Sequence, residues 1–195
     1  MQQKKLNIVI ADNESLIRLD LREMLEEAGH TVVGEAINGR KAVELTRKYH
    51  PDLVLMDIKM PDMDGITASR KIADEQLAPV LLLTAYSQPE IVAKANDAGV
   101  LGYLVKPVRE ENLFPAIEVA LARWRDMQGL AEELAGLKDS LETRKTLDRA
   151  KGIIMAAHHL TEQEAYRRIQ RYAMTKRLTV KDVATAIVRA AGGKV

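Results

Sequence analysis

The chain of 195 residues contains no cysteine, which excludes disulfides and thiolate metal sites. Its four histidines, His30, His50, His158 and His159, lack the spacing of metal ligands and read as surface or element-end residues. Long apolar runs are missing as well. Nothing approaches the roughly 18 residues that a membrane span needs, and Met1 to Lys5 leads into a strand rather than a signal segment. A soluble cytoplasmic protein with no membrane partner is expected. The chain also lacks net charge of either sign, with 29 basic against 28 acidic residues, yet that balance hides a division. Residues 144 to 195 hold twelve Lys or Arg and four Asp or Glu, a net of +8; the rest holds 17 basic and 24 acidic residues, a net of −7. An acidic module is joined to a basic one.

The acidic module is organised around the run Asp52 to Asp57. Four apolar residues without alternation read as a strand buried on both faces of a parallel sheet, and such sheets place ligand sites beyond the strands' carboxyl ends. Asp57 stands at that end. Pro61 and Gly65 then force a turn, so the next helix begins only after Asp64 and the carboxylate is left at the mouth of a loop. A lone strand-end aspartate would carry little; its partners carry the reading. Leu6 to Ala11 runs into Asp12, Asn13 and Glu14, Val80 to Leu83 into Thr84, and Leu101 to Val105 into Lys106 and Pro107. In a parallel sheet these ends converge, so acid, hydroxyl and ammonium groups from four distant stretches should meet around Asp57. Strand and helix patterns alternate over residues 1 to 120, which predicts a five-stranded parallel, doubly wound α/β domain. Its helices are expected at about 14–28, 39–49, 65–74, 89–98 and from 110 onward.

This set of motifs resembles the flavodoxin-like receiver domain of bacterial two-component response regulators. The resemblance implies that Asp57 is the phosphoacceptor, supplied by a sensor histidine kinase. It places Asp12 and Asn13 at the acidic-pair positions that hold Mg2+, with the backbone carbonyl of Lys59 as a further ligand. It makes Thr84 the switch hydroxyl, Lys106 the countercharge and Tyr103 the aromatic switch, with a cis peptide bond before Pro107. The residue types suit that chemistry: a carboxylate nucleophile yields a dianionic product that needs positive charge nearby, and Mg2+ prefers oxygen ligands. One position departs from the pattern. Receivers usually carry an acid where this chain has Asn13, and an amide oxygen brings no charge to the metal, which implies lower metal affinity and slower, dispensable or absent phosphorylation. Glu14, at the expected start of a helix, reads as a helix-dipole or capping charge rather than as its replacement.

From Glu110 to Leu147 no proline follows Pro115, and Met127, Leu130, Leu134, Leu137 and Leu141 keep the 3,4,3,4 spacing of a coiled-coil seam. A homodimer would bury it; packing on the chain's own domains is the alternative. Gly129 and Gly136 weaken the helix, and Trp124 marks where the seam leaves the first domain. After Leu141 three short helices are expected, about 147–157, 161–174 and 179–190. Thr161 with Glu164 makes a capping box, and Thr179 with Asp182 has related spacing. Ala165, Ile169, Tyr172 and Ala173, with Val180, Val183, Ala184, Ile187 and Val188, should form one small core that depends on the long helix for stability.

The tail resembles the ANTAR domain, the RNA-binding output module of transcription antitermination regulators, through Ala150 to Met155, Thr161 to Tyr166 with Ile169, and Leu178 to Ala184. The expected organisation is a receiver over 1–120, a coiled-coil linker over 121–143 and an ANTAR domain over 144–195. Lys and Arg on short helices ordinarily form a solvated face, but so concentrated a positive field has a phosphate backbone as its commonest partner. Arg149, Lys151, Arg167, Arg168, Arg171, Lys176, Arg177 and Lys181 are the RNA-binding candidates. Tyr166 or Tyr172 is placed to stack on an unpaired base, with helical spacing assigning Tyr172 to the core. Charge does not separate RNA from DNA, although the small, apolar third helix is unlike a polar recognition helix. The resemblance implies stem-loops in nascent leader RNA, where bound protein prevents a terminator hairpin. The reading is a phosphorylation-controlled response regulator acting as a dimeric antiterminator. Its alternatives are a receiver scaffold regulated by a protein partner without phosphorylation, which Asn13 favours, and a DNA-binding transcriptional regulator. No motif outside the Asp57 site pairs a nucleophile with a base, so the chain is not expected to be an enzyme.

Overall fold

The structure, a computed structural model, describes residues 5–85 and 98–192. It divides into two compact units, residues 1–128 and 129–195. In the first, β1 (Asn7–Ala11), α1 (Ser15–Glu27), β2 (Thr31–Ala36), α2 (Gly39–Tyr49), β3 (Leu53–Asp57), α3 (Gly65–Asp74), β4 (Val80–Thr84) and β5 (Gly102–Val105) follow in order. The five strands form one parallel sheet in the order β2-β1-β3-β4-β5. Every residue of β3 and β4 is buried, which is why their sequences show no polar alternation.

Successive side chains still go to opposite faces. Val9, Val54, Met56 and Leu82 pack with Ala42, Ala68 and Ile72 on one side. Ile8, Ile10, Leu55 and Leu83 pack with Leu21, Leu25, Leu113 and Ile117 on the other, where Trp124 joins them. A doubly wound layer results, with the strands' carboxyl ends left clear of both helical layers. The helix expected over 89–98 lies outside the described residues, Ala98 excepted. His30, expected at a surface or element end, precedes β2 but is buried against Phe114, with ring centroids 6.2 Å apart.

One helix, α4 (Glu110–His158), runs for 49 residues from the first unit into the second. The break expected before Leu147 does not occur. Losing the leucine seam removes a reason to dimerise there, not a reason to stay helical, and the i,i+3 pairs Glu142–Lys145 and Asp148–Lys151 support the continuing turns. The helix stops at His158, and His159 takes a left-handed φ of 55°.

In the second unit, α5 (Glu162–Lys176) and α6 (Val180–Ala190) each begin with a complete capping box, Thr161 with Glu164 and Thr179 with Asp182. Their core is Ile169, Ala173, Val183, Ala184 and Val188 closed by Ala150, with Leu147, Ile153 and Ile154 packed against it. The end of α4 thus supplies the side expected from a separate helix. Tyr172 is a correction: α5 buries Ala165, Ile169 and Ala173, one stripe spaced by four, and Tyr172 lies off it, 54% exposed. All five seam residues, Met127, Leu130, Leu134, Leu137 and Leu141, are about half exposed or more.

Candidate functional site

The register of the sheet builds the site. Ala11 pairs with Met56, Asp57 with Leu83, and Thr84 with Val105, so Asp12, Asp57, Thr84 and Lys106 end neighbouring strands at one edge. Main-chain bonds fix those ends: Asp12 N donates to Ala36 O at 3.0 Å, and Lys106 N donates to Thr84 O at 2.8 Å. The peptide bond between Lys106 and Pro107 is cis. Beyond Asp57, Gly65 N donates to Ile58 O at 2.9 Å and closes the loop. A Cβ at Gly65 would lie 2.0 Å from the carbonyl oxygen of Asp57, so only glycine permits this approach. Asp64 caps α3 through Thr67 N at 2.8 Å.

The four groups expected to converge do so. Asp12, Asp57 and Thr84 are buried. The Lys106 ammonium stands 2.7 Å from Asp12 Oδ2 and 2.8 Å from Asp57 Oδ1. Burial pushes the Asp57 carboxyl above its ordinary pKa, an effect that Lys106 offsets only in part and that neighbouring Asp12 reinforces. Burial alone would lower the pKa of Lys106, but its bonds to Asp12 and Asp57 more than reverse this and hold it above the ordinary lysine value. The site is therefore a carboxylate pair bridged by one ammonium, with a negative excess.

A cavity of about 210 Å³ opens over Asp57 and Lys106, lined also by Asn13, Glu14, Lys59 and Thr84 among others. Asn13, Ile58 and Lys59 also line a neighbouring groove of about 880 Å³. Tyr103 is not at this cavity; it is 45% exposed on β5 and lines a separate hollow with Pro115 and Arg123. Glu14 is the N-cap of α1, yet its side chain makes no capping hydrogen bond. The donors that would hold Mg2+ are all oxygens: the carboxylates of Asp12 and Asp57, the amide oxygen of Asn13 and the carbonyl of Lys59. By type they suit a hard divalent cation, while among the described residues no group of three or more Asp, Glu, His or Cys is gathered to hold a metal ion by itself.

Arg18 has no counterpart among the residues expected at the site. Its Nη1 donates to the carbonyl oxygen of Asp12 at 2.8 Å, and its Nε donates to Glu35 Oε2 at 3.0 Å. Arg22 also bonds Glu35. Burial would raise the Glu35 pKa, but the two guanidinium groups bring it below the ordinary value. Arg18 and Arg22 lie one helical turn apart, and that spacing is the signal the sequence offers for them.

In the second unit the eight basic candidates divide. Arg167, Arg168, Arg171, Lys176 and Arg177 are exposed on α5 and its C-cap. Arg149 is exposed on α4. Lys151 instead bridges Asp148 Oδ1 at 2.7 Å and Glu162 Oε1 at 2.6 Å, with its side chain only 14% exposed. Lys181 is paired with Asp139. Lys151 and Lys181 are thus committed to local carboxylates.

Comparison with known proteins follows the same division. Residues 8–118 match the response regulator receiver domain, and residues 135–188 match the ANTAR domain. The chain belongs to the response regulators that join these two domains. It is 49% identical over 185 residues to the transcriptional regulatory protein PdtaR of Mycobacterium tuberculosis, covering 95% of this chain and 90% of that one. Among solved structures, a LuxR-family two-component response regulator from Aurantimonas sp. is 32% identical, with a TM-score of 0.58, covering 68% of this chain and 99% of that one. The receiver domain of the putative response regulator NarL from Mycobacterium tuberculosis is 31% identical, with a TM-score of 0.57 over 63% of this chain and 98% of that one. Among the described residues no helix is long and apolar enough to cross a membrane.

Proposed function

We propose that this chain is a cytoplasmic regulator that accepts a phosphoryl group at Asp57 from a sensor histidine kinase. In that state it binds stem-loops in nascent leader RNA, as a homodimer, and promotes transcription antitermination. The observation that carries the input half is the Lys106 ammonium held 2.8 Å from Asp57 Oδ1 at a sheet edge that opens to a cavity.

In the reaction, a carboxylate oxygen of Asp57 forms a bond to phosphorus while the bond to the donor's nitrogen breaks, and that nitrogen keeps the electron pair. Lys106 stabilises charge on the transferred phosphoryl oxygens as they accumulate beside the carboxylate. Asp12, Asn13, Asp57 and the Lys59 carbonyl would hold Mg2+, which supplies further positive charge to the phosphoryl group. Thr84 lines the same cavity, where its hydroxyl would donate to a phosphoryl oxygen. Tyr103, outside the cavity, would respond by turning toward the space that Thr84 leaves.

The ANTAR match and the exposed cations of α5 support the output half. Arg167, Arg168, Arg171, Lys176 and Arg177 would meet phosphates, joined by Arg149, while Tyr166 or the exposed Tyr172 would stack on an unpaired base. Incubation with a small phosphodonor and Mg2+ tests the input half: one acid-labile phosphoryl group should be added, and Asp57→Asn should abolish it. A second reading, a receiver that works through a protein partner without phosphate, draws on the uncharged Asn13; persistence of RNA regulation in Asp57→Asn would favour it. A DNA-binding output would show as tighter binding to the duplex than to the leader RNA.

A further inference from the structure

Asp12 stands one residue past the end of β1 and is fully buried, so its main-chain carbonyl needs a partner inside the protein. Arg18 supplies it, with Nη1 donating to Asp12 O at 2.8 Å while Nε donates to Glu35 Oε2 at 3.0 Å. We propose that Arg18 is a positioning residue for phosphoryl transfer: it fixes the main chain of Asp12, whose carboxylate in turn holds the Lys106 ammonium beside Asp57. The inference rests on the phosphoacceptor reading of Asp57 given above.

Each polar group of Asp12 is fixed by a different stretch of the chain. Its N–H donates to Ala36 O at 3.0 Å, and its Oδ1 accepts from Glu14 N at 2.9 Å. Its Oδ2 meets the Lys106 ammonium at 2.7 Å, and the same ammonium reaches Asp57 Oδ1 at 2.8 Å. The Arg18 bond fixes the remaining group, the carbonyl oxygen, and a main chain so held gives the carboxylate one direction.

The brace behind Arg18 is part of the sheet. Glu35 lies on β2 opposite Ile10 of β1, two residues before Asp12. The Arg18 side chain is only 15% exposed, which sets its bonds apart from a loose surface pair. A guanidinium fork serves a carbonyl and a carboxylate at once, and a lysine ammonium does not reproduce that geometry. Arg22 reaches Glu35 from the next turn of α1, but its other ion pair is with Glu26. Without Arg18 the Asp12 carbonyl is left unpaired in a buried place, or the chain turns to satisfy it and carries the carboxylate away from Lys106. Misplacement of about 1 Å at groups remote from the chemistry can cost a rate about a hundredfold.

The test uses the full chain as parent, Arg18→Met, Arg18→Lys, Arg22→Met, Lys106→Met and the double variant Arg18→Met with Lys106→Met. Two readouts are taken: the lysine ammonium resonances by heteronuclear NMR in metal-free buffer, and the rate of labelling by a saturating small phosphodonor with Mg2+. Arg18→Met should shift or broaden the Lys106 resonance, which Lys106→Met identifies by its loss. It should also slow labelling about tenfold while leaving the half-saturating donor concentration unchanged. Arg18→Lys should recover part of both, and Arg22→Met, which gives up a bond to Glu35 alone, should behave as the parent. In the Lys106→Met background the Arg18 change should cost less than about twofold, because it acts through Lys106. Should Arg18→Met fail to fold, Arg18→Lys is read in its place, with a loss of about threefold expected. A parent-like resonance and rate without Arg18, an equal loss in Arg22→Met, or an equal loss with and without Lys106 overturns the role of Arg18 and leaves the reading of Asp57 intact. A parent that takes no label overturns that reading and this inference with it.

Discussion

Lys106, which follows the edge strand β5, places its ammonium 2.8 Å from Oδ1 of Asp57, the last residue of the central strand β3. That ion pair ties the charge of the Asp57 carboxylate to a residue that follows the edge strand, and it gives the proposed phosphorylation a pH dependence with a definite sign. Burial holds the Asp57 pKa above its ordinary value, with Lys106 opposing. The nucleophile is the ionised form, so the rate of labelling by a small phosphodonor should fall as pH drops through that raised pKa. Lys106→Met removes the opposing charge and should move the fall to higher pH. Superimposable profiles for parent and variant would show that the ammonium does not govern this carboxylate.

The same ion pair affects stability at alkaline pH. The Lys106 pKa is raised by Asp12 and Asp57 against the effect of burial. Its contribution should be fully present below the ordinary lysine pKa and lost as pH rises through the raised value. Denaturant midpoints measured across that range should fall for the parent and stay flatter for Lys106→Met.

Gly65 is placed so that a Cβ would lie 2.0 Å from the Asp57 carbonyl oxygen. Gly65→Ala must push the loop off the strand end, at a cost of about 1–3 kcal/mol. Chemical unfolding should register the loss, and phosphodonor labelling should fall with it. An unchanged midpoint would mean that the loop gives way freely.

Leu134 and Leu137, at the middle of the seam, are 57% and 56% exposed on the single chain. If they are buried between two copies, Leu134→Glu leaves an unpaired charge in an apolar interface, costing several kcal/mol, on the order of the 3–5 kcal/mol for a buried charge without its partner. Sedimentation should give a dimer for the parent and a monomer for the variant. A dimer that survives would move the interface to another surface.

Arg167 and Arg171 stand one turn apart on the exposed part of α5, away from the buried stripe of Ala165, Ile169 and Ala173. Changing both to alanine should weaken binding to a leader stem-loop and flatten its salt dependence, by roughly one unit of slope or slightly less for each phosphate that is no longer neutralised. The circular dichroism of the tail should be unchanged. Binding as tight as the parent's at every salt concentration would shift attention to Arg149.

The parts of this molecule legible in the sequence are those where one physical demand dominates. β3 and β4 are buried throughout, so unbroken apolar runs mark them, and the residue ending each run has to lie at the carboxyl edge. Thr161 and Thr179 announce two helix starts by capping chemistry alone. β2 is harder to place: Gly34 and Glu35 interrupt it, and only Ala36 in it is fully buried. The end of α4 is not legible from its leucines, because a seam and the helix that carries it need not share a limit. Lys151 turns on side-chain direction, since nothing in sequence pattern brings Glu162, eleven residues on, back to it.

Charge placed on Asp57 should govern the affinity of the basic tail for RNA, and on this coupling the proposed function stands or falls. The direct measurement is titration of a labelled leader stem-loop with the full chain at fixed salt, with and without a small phosphodonor and Mg2+, in the parent and in Asp57→Asn. The expected result is tighter binding by the treated parent and no response in the variant. Equal affinity in all four titrations, with phosphorylation of the parent verified in the same samples, would contradict it.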